Sequence, residues 1–294
     1  LRGQIGAEAP ALAPIGRPLA AFGVTALTDA SVTTGADAAA QLAEAQRRGH
    51  LPQRLTLMSG GALEAPADDA FAVGPVKILL DDHALPDFDE VVRHIAQARA
   101  WDRAVAVHCV TAAELAFTLA VFDAAGARSG DRIEHGGVIP EGAIHRLKAL
   151  DLTVVTQPAF IAERGDRYVA NVPPAEQQDL YRCASLRAAG VPVAASSDAP
   201  YATPDPWAGI AAAIGRRTAA GLTLGAAERV TPAAAMSLYL DDAAAPGRRP
   251  RRVAVGAVAD LCLLNTSLKG ALAAPDAGLV RATLVGGRPV HETD

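Results

Sequence analysis

Apolar runs of strand length alternate with amphipathic stretches from about residue 20 to residue 220. Seven of these runs have the near-continuous hydrophobicity of buried strands, and they cover residues 24–29, 54–59, 76–81, 105–110, 132–136, 152–157 and 191–197. The segments between them place apolar residues three and four positions apart, which predicts helices over residues 38–48, 88–100, 112–125, 141–149, 176–189 and 206–219. The alternation predicts an α/β fold in which helices cover a parallel sheet.

The pattern changes after the Pro/Arg-rich stretch near residue 248. Residues 253–264 and 280–290 are rich in strand-forming side chains, and Gly286-Gly287 is typical of a two-residue hairpin turn. We therefore predict two domains, a strand–helix domain over residues 1–245 and a small β domain over residues 246–294. Thr231 is the expected N-cap of one further helix that begins at Pro232.

Composition and charge exclude several classes of protein. The chain has 294 residues, of which 50% are hydrophobic, and its formal net charge of −5 argues against a nucleic-acid partner. The short basic cluster at residues 248–252 is therefore interpreted as a solvated linker. No apolar stretch has the length of a membrane span, and no secretory signal is visible. The three cysteines suggest no disulfide framework, which favours the cytoplasm.

Four ionisable residues stand at the ends of successive predicted strands: Lys77, His108, His135 and Asp198. Side chains at the C-terminal ends of parallel strands form the active site of a (β/α) barrel. Two imidazoles, a carboxylate and a buried lysine also suit a divalent metal ion such as Zn²⁺. A metal-bound water could then act as nucleophile, with the Asp198 carboxylate accepting its proton.

Each of the four residues also has a plain structural interpretation. His108 could be a hydrogen-bonded core histidine, and His135 could belong to the loop that Gly136 begins. Asp198 could be a turn or capping residue. Lys77 could pair with Asp81 or Asp82, whereas the functional alternative is an amine of lowered pKa that reacts with carbon dioxide to form a carbamate.

In order and spacing, these residues resemble the amidohydrolase superfamily, in particular its YtcJ-like branch of metal-dependent hydrolases. The matching segments cover nearly the whole chain: residues 23–29, 76–78, 107–108, 132–135, 196–200, 231–233, 256–261 and 283–290. The resemblance implies a TIM-like barrel with a composite β-sandwich, whose C-terminal part would be residues 246–294. It implies one or two metal ions held by Lys77 as a carbamate and by His108, His135 and Asp198. Asp198 would also be the general base in hydrolysis of an amide, formamide or cyclic C–N bond.

The chain departs from the pattern of this family: the N-terminal half of the β-sandwich is missing, and Asp81-Asp82 stands where relatives often carry Asp-Gly. The family carries a His-x-His pair on its first strand, and no two of the seven histidines here have that spacing. We therefore expect the chain to lack the segment bearing that strand, which leaves a barrel of seven strands with two open edges and a tendency to dimerise.

Two other interpretations remain open. The first is a catalytically incomplete scaffold, and the second is a barrel enzyme that uses Lys77 as a Schiff-base nucleophile. We expect a small-molecule substrate, and Gln157, Tyr168 and Tyr201 are candidate substrate contacts near the barrel mouth. Because mouth loops determine specificity, the sequence does not name the substrate.

Overall fold

The computed structural model describes residues 11–293, which form a seven-stranded parallel sheet with helices outside it and a three-stranded antiparallel sheet. The parallel strands follow chain order: β1 (Ala26–Asp29), β2 (Arg54–Ser59), β3 (Ala72–Ile78), β4 (Val105–Cys109), β5 (Arg132–His135), β6 (Thr153–Thr156) and β7 (Val193–Ala195). The antiparallel strands are β8 (Leu261–Leu264), β9 (Val280–Val285) and β10 (Arg288–Glu292).

Ten α-helices occur within residues 11–293. They are α1 (Ala13–Ala21), α2 (Ala36–Arg47), α3 (Phe88–Ala100), α4 (Ala112–Ala125), α5 (Glu141–Ala149), α6 (Ala159–Asn171), α7 (Ala184–Ala188), α8 (Pro206–Gly215), α9 (Pro232–Ser237) and α10 (Leu268–Ala273). Within these residues, no helix combines the length and the apolar character that crossing the lipid bilayer requires.

The parallel sheet is curled into an open barrel. The Arg132 guanidinium on β5 reaches the Met58 sulfur on β2 at 3.7 Å, so strands three positions apart face each other across the interior. Across residues 11–293, β1 and β7 do not pair with each other, and each is an edge of the sheet. The prediction of a TIM-like barrel that lacks one strand is confirmed.

The main apolar core lies between the sheet and its helices. Val105 and Val107 of β4 pack there with Ile133 of β5 and Phe122 of α4. Because side chains alternate along a strand, the residues between them face the barrel interior. The side chains that point outward therefore form the apolar core, and the inner face near the strand ends can hold polar side chains.

Three sequence-based expectations are corrected by the structure. The segment 176–189 is not one helix, because it divides into a 3₁₀ turn at Gln177–Asp179 and the short α7. The segment 253–264 is a strand only at β8, since Val253 and Val255 are fully exposed. The basic cluster is solvated only in part: Arg249 and Arg252 are exposed, but Arg248 bonds Asp151 and Thr153, and Arg251 bonds Asp260.

Candidate active site

Four ionisable side chains meet at the C-terminal edge of the parallel sheet. Lys77 is the penultimate residue of β3, His108 is the penultimate residue of β4, and His135 ends β5. Asp198 follows β7 by three residues. Since neighbouring parallel strands end at the same edge, these residues belong to one end of the barrel.

Strand alternation directs two of these side chains inward. Lys77 lies between Val76 and Ile78, which both pack in the outer core, so the lysine side chain points into the barrel. His108 lies in the same way between Val107 and Cys109. The inner position of both residues follows from the strand pattern alone.

His135 and Asp198 adopt a backbone conformation that is rare for their residue types. Their φ angles are +71° and +52°, in the left-handed region. Strain of this kind costs about 1–3 kcal/mol per residue and is concentrated at functional sites. At His135 the left-handed conformation interrupts the alternation, and its side chain turns back toward Gln157 and Asp198.

The two imidazole rings and the carboxylate are close together. The rings of His108 and His135 pack edge to face with centroids 4.5 Å apart. The His135 Nδ1 atom lies 3.7 Å from Oδ2 of Asp198. Lys77 is near enough to act electrostatically on all three groups. The structure thus brings the four predicted residues to one place.

Burial shifts the pKa values of the site residues. It lowers the pKa of Lys77, and the Arg132 charge lowers it further against the opposing influence of Glu134 and Asp198. Burial, with His108 and Lys77 nearby, lowers the pKa of His135 to about 4. Burial raises the pKa of Asp198 to about 6. Near pH 7 the site therefore holds a neutral His135 imidazole beside an ionised Asp198 carboxylate.

A buried ion pair lies inside the barrel below these residues. Arg132 Nε donates to Glu134 Oε1 at 2.6 Å, and both side chains are almost completely buried. In residues 11–293, Lys77 makes no ion pair with Asp81 or Asp82, and the carboxylates that act on it are Glu134 and Asp198. The alternation in Arg132-Ile133-Glu134 places both charges on the inner face, which is the sequence signal for this pair.

The three candidate substrate contacts have different surroundings. Gln157 is buried and bonds His135. Tyr168 donates to or accepts from the Tyr181 hydroxyl at 3.0 Å, and both rings line a cavity of about 220 Å³ beside the β4 and β5 ends. Tyr201 is 63% exposed, with the Arg164 guanidinium 5.6 Å above its ring. Tyr168 therefore borders this cavity.

The donor types fit a divalent cation, because two imidazoles and a carboxylate are ligands that Zn²⁺ accepts. The low pKa values of both histidines keep their nitrogens available for coordination. However, residues 11–293 contain no group of three His, Cys, Asp or Glu side chains arranged to hold an ion. These residues therefore supply suitable donors without a closed coordination shell.

The fold is an open (β/α) barrel, and its candidate active-site residues lie at the C-terminal ends of the strands. Residues 5–291 match the amidohydrolase family, and the chain belongs to that family. A comparison with curated proteins finds no significant match.

Several solved structures share the fold. An uncharacterised metal-dependent hydrolase from Pyrococcus furiosus aligns with a TM-score of 0.66 and 23% identity, over 81% of this chain and 56% of that one. A similar hydrolase from Pyrococcus horikoshii has a TM-score of 0.64, 20% identity and coverages of 81% and 57%. A zinc-bound adenosine deaminase from Xanthomonas campestris has a TM-score of 0.59, 17% identity and coverages of 95% and 68%. The chain therefore spans just over half the length of the two Pyrococcus proteins.

Proposed function

We propose that the protein is a metal-dependent hydrolase that cleaves a C–N bond of an amide, a formamide or a cyclic amide. The observation that carries this proposal is the convergence of Lys77, His108, His135 and Asp198 at the C-terminal edge of the sheet. Membership of the amidohydrolase family supports the reaction class. Neighbours that include a zinc-bound deaminase support zinc as the metal to test first.

His108, His135, Asp198 and a modified Lys77 would hold the metal. A bound divalent ion supplies Lewis acidity and a water of lowered pKa. Asp198 accepts a proton from the attacking water and transfers it to the leaving nitrogen as the C–O bond forms and the C–N bond breaks. In the metal-free chain the pKa of Asp198 is about 6, so the carboxylate is ionised at neutral pH and is available to a cation or to a proton.

Lys77 would act as a ligand after reaction with carbon dioxide. Its neutral amine attacks the carbon of CO₂, and loss of one proton leaves an anionic carbamate. Burial lowers the pKa of Lys77, which favours the reactive amine. We expect Zn²⁺ binding to weaken in CO₂-free buffer and to recover on addition of bicarbonate. Lys77→Met should bind Zn²⁺ weakly at every bicarbonate concentration, and a wild-type affinity independent of bicarbonate would exclude the carbamate.

Tyr168 would contact an apolar group of the substrate. The cavity beside it has a largely apolar wall that includes Val110, Val138 and Leu180. Its volume of about 220 Å³ exceeds the roughly 150 Å³ cavity that holds benzene in an engineered protein. We therefore expect substrates with a phenyl or branched alkyl group to be preferred. Tyr168→Ala should raise KM for those substrates more than for formamide.

The direct test combines metal analysis with turnover. The wild-type chain should contain Zn²⁺ or another divalent ion, hydrolyse members of a panel of N-acyl amino acids, formamides and cyclic amides, and lose that activity with a chelator. His108→Ala and His135→Ala should lose the metal, whereas the matched control His83→Ala, at a fully exposed histidine, should retain it. Metal content unchanged in His108→Ala would contradict the assignment.

A catalytically incomplete homologue is the second candidate, and the lack of a closed ligand group in residues 11–293 favours it. This candidate predicts a folded chain without stoichiometric metal and without turnover. The lowered pKa of Lys77 also keeps the Schiff-base alternative open. Borohydride trapping of a carbonyl substrate on Lys77, with activity that resists a chelator, would support that alternative instead.

A further inference from the structure

Gln157 directly follows β6, and its side chain is 1% exposed. The amide nitrogen Nε2 lies 2.9 Å from the Ser196 hydroxyl and 3.3 Å from the Val155 carbonyl oxygen. The amide oxygen Oε1 lies 3.0 Å from Nδ1 of His135. Both ends of this buried amide are therefore engaged in hydrogen bonds.

The Val155 carbonyl oxygen determines the orientation of the Gln157 side-chain amide. A carbonyl oxygen can only accept a hydrogen bond, so the group that faces it must be the NH₂ of Gln157. The opposite orientation would place two acceptor oxygens against each other and leave the NH₂ facing a ring nitrogen. The Ser196 hydroxyl can donate or accept and agrees with either arrangement.

The orientation of the amide determines the state of His135. Because Gln157 Oε1 is an acceptor, the contact with Nδ1 requires a proton on Nδ1. In a neutral imidazole the remaining nitrogen, Nε2, then carries the free lone pair. We infer that Gln157 is a positioning residue that fixes His135 as the Nδ1–H tautomer and presents Nε2 as its metal-binding atom.

Because His135 donates this hydrogen bond to Gln157, it does not use Asp198 as its hydrogen-bond acceptor. Asp198 Oδ2 lies 3.7 Å from His135 Nδ1, which is too far for a hydrogen bond, whereas Gln157 Oε1 lies at 3.0 Å. While Gln157 Oε1 accepts the hydrogen bond from Nδ1–H, the Asp198 carboxylate stays free to take a proton from water. Partners of this kind orient a ligating histidine, and their loss typically weakens metal binding about 10–100-fold. The metal-binding part of this inference rests on the proposed function, whereas the tautomer does not.

The tautomer can be measured directly in the metal-free full chain. Two-bond ¹⁵N–¹H correlation spectra of a histidine-labelled sample distinguish a protonated from a bare ring nitrogen. The His135 signals are assigned by their loss in His135→Gln. We expect a protonated Nδ1 and a bare Nε2 in the wild type. A bare Nδ1 would overturn the inference whatever the metal content of the protein.

Variants at position 157 test whether Gln157 determines the tautomer of His135. Gln157→Leu removes the acceptor, so the His135 tautomer should become mixed and Zn²⁺ affinity should fall about 10–100-fold. Gln157→Glu retains an acceptor toward Nδ1 and should keep the Nδ1–H tautomer even if it costs stability against the Val155 carbonyl. Gln53→Leu is the matched control, because it removes another buried glutamine whose NH₂ bonds Gly16, on the α1 side of the barrel.

The control should lose stability without a change in the His135 tautomer or in Zn²⁺ affinity. An unchanged tautomer in Gln157→Leu would show that Gln157 has only a packing role and would overturn the inference. A wild-type chain with protonated Nδ1 but no affinity for Zn²⁺ would refute the proposed function and support the tautomer assignment. The two proposals can therefore fail separately.

Discussion

Single residues at the barrel mouth are held in states that cost folding free energy. Burial acts against the ionised forms of both Lys77 and Asp198, and His135 has a left-handed backbone. Groups held in this way are typical of functional sites, where stability is lost in favour of chemistry. The cost should be measurable in the metal-free chain, because no ion then compensates it.

Asp198→Asn should stabilise the metal-free protein above pH 6. The pKa of Asp198 is about 6 in the folded chain against an ordinary value of 3.8, so folding favours its protonated form. The wild type therefore keeps its full stability below about pH 4 and loses part of it as the pH rises through 6. After allowance for partial exposure, we expect the variant to gain about 1–2 kcal/mol at pH 7.5 and little at pH 4.

Urea unfolding with EDTA present, at both pH values, measures this difference. Asp89→Asn is the control, because Asp89 lies exposed on α3. A gain of equal size at both pH values would show that the amide acts through packing. A loss of stability at pH 7.5 would contradict the sign of the pKa shift.

The convergence of the four candidate residues could be predicted from the sequence, because three of them occupy strand ends that hydrophobic runs define. The orientation of His135 could not be predicted. A left-handed backbone is expected at a glycine, but nothing in Arg-Ile-Glu-His-Gly-Gly indicates that the histidine itself has a φ of +71°. Nor does the sequence indicate the hydrogen bond that Gln157, a candidate substrate contact, makes with His135. Its partners, His135 and Ser196, come from other strands and loops, and only the folded backbone brings them together.

Among the helices, α4 begins directly after the turn that follows His108 and the end of β4. Thr111 Oγ1 accepts from the Glu114 backbone N–H at 3.2 Å, and Glu114 Oε2 accepts from the N–H groups of Val110 and Thr111. This reciprocal capping box satisfies donors at the helix start and fixes the turn that follows His108. The cap therefore links helix stability to the position of a candidate ligand.

Thr111→Ala should lower the free energy of unfolding by about 1 kcal/mol, because one helix-terminal N–H loses its partner. Chemical denaturation monitored by circular dichroism measures the loss. Thr231→Ala is the control, since Thr231 caps α9 through the same bond to Ala234. We expect a similar loss of stability in both variants and a lower Zn²⁺ affinity only in Thr111→Ala. Equal Zn²⁺ affinities would show that the cap does not influence His108.

The boundaries of several elements could be read from the sequence. Helices α3, α4 and α5 have the predicted bounds, and β2 does as well. Side-chain caps mark the starts of α3 and α4, and Pro140 precedes α5. Helix α6 was not predicted; it begins at Ala159, after Pro158 and the buried Gln157, without a side-chain cap. The predicted 176–189 helix is interrupted where Val138 pairs with Leu180 and where Tyr181 has a φ of +44°. These interruptions depend on tertiary contacts and not on local propensity.

At the scale of the whole molecule, the sheet has two edges. Strands β1 and β7 end the order of seven strands in residues 11–293. The β7 edge is partly covered, because the Ala195 N–H donates to the Leu238 carbonyl. Strand β1 has four half-buried residues and is the edge where a second copy of the chain could pair.

We predict that this 294-residue chain self-associates at micromolar concentration through the β1 edge. Thr28→Lys places a charge on that strand and should shift the protein toward monomer, because desolvating a lysine in an edge pairing is unfavourable. Light scattering after size exclusion measures the mass. Ala120→Lys, on the exposed face of α4, is the control and should leave association unchanged. A wild-type monomer over the whole concentration range would refute the prediction.

Contacts between the barrel and the C-terminal segment bear on the predicted division at residues 245 and 246. Asp260 precedes β8, and its side chain is 1% exposed. It accepts from Arg54 Nε of β2 at 2.7 Å and from the Gly286 N–H at 2.6 Å. Thr283 of β9 donates to the Ala20 carbonyl of α1 at 2.7 Å. We therefore expect the two predicted domains to unfold together.

Asp260→Asn should lower the stability of the whole chain in one step. Burial alone would raise the pKa of Asp260, but the Arg54 guanidinium and the Gly286 N–H outweigh it and hold the pKa below its ordinary value. The contribution of Asp260 is thus present near neutral pH and is lost as the pH falls through that lowered value. Because Arg54 is half exposed, we expect a loss of about 1–3 kcal/mol near pH 7.

Calorimetry near pH 7 shows whether the two predicted domains unfold together or separately. One transition that moves to lower temperature as a unit would show that the C-terminal sheet and the barrel fold cooperatively. A separate early transition in the variant would instead show that residues 246–294 form an independent domain. Asp123→Asn breaks an ion pair with Arg146 between exposed side chains and should cost less than 1 kcal/mol. A larger loss in this control than in Asp260→Asn would mean that burial of Asp260 does not determine the strength of the interdomain contact.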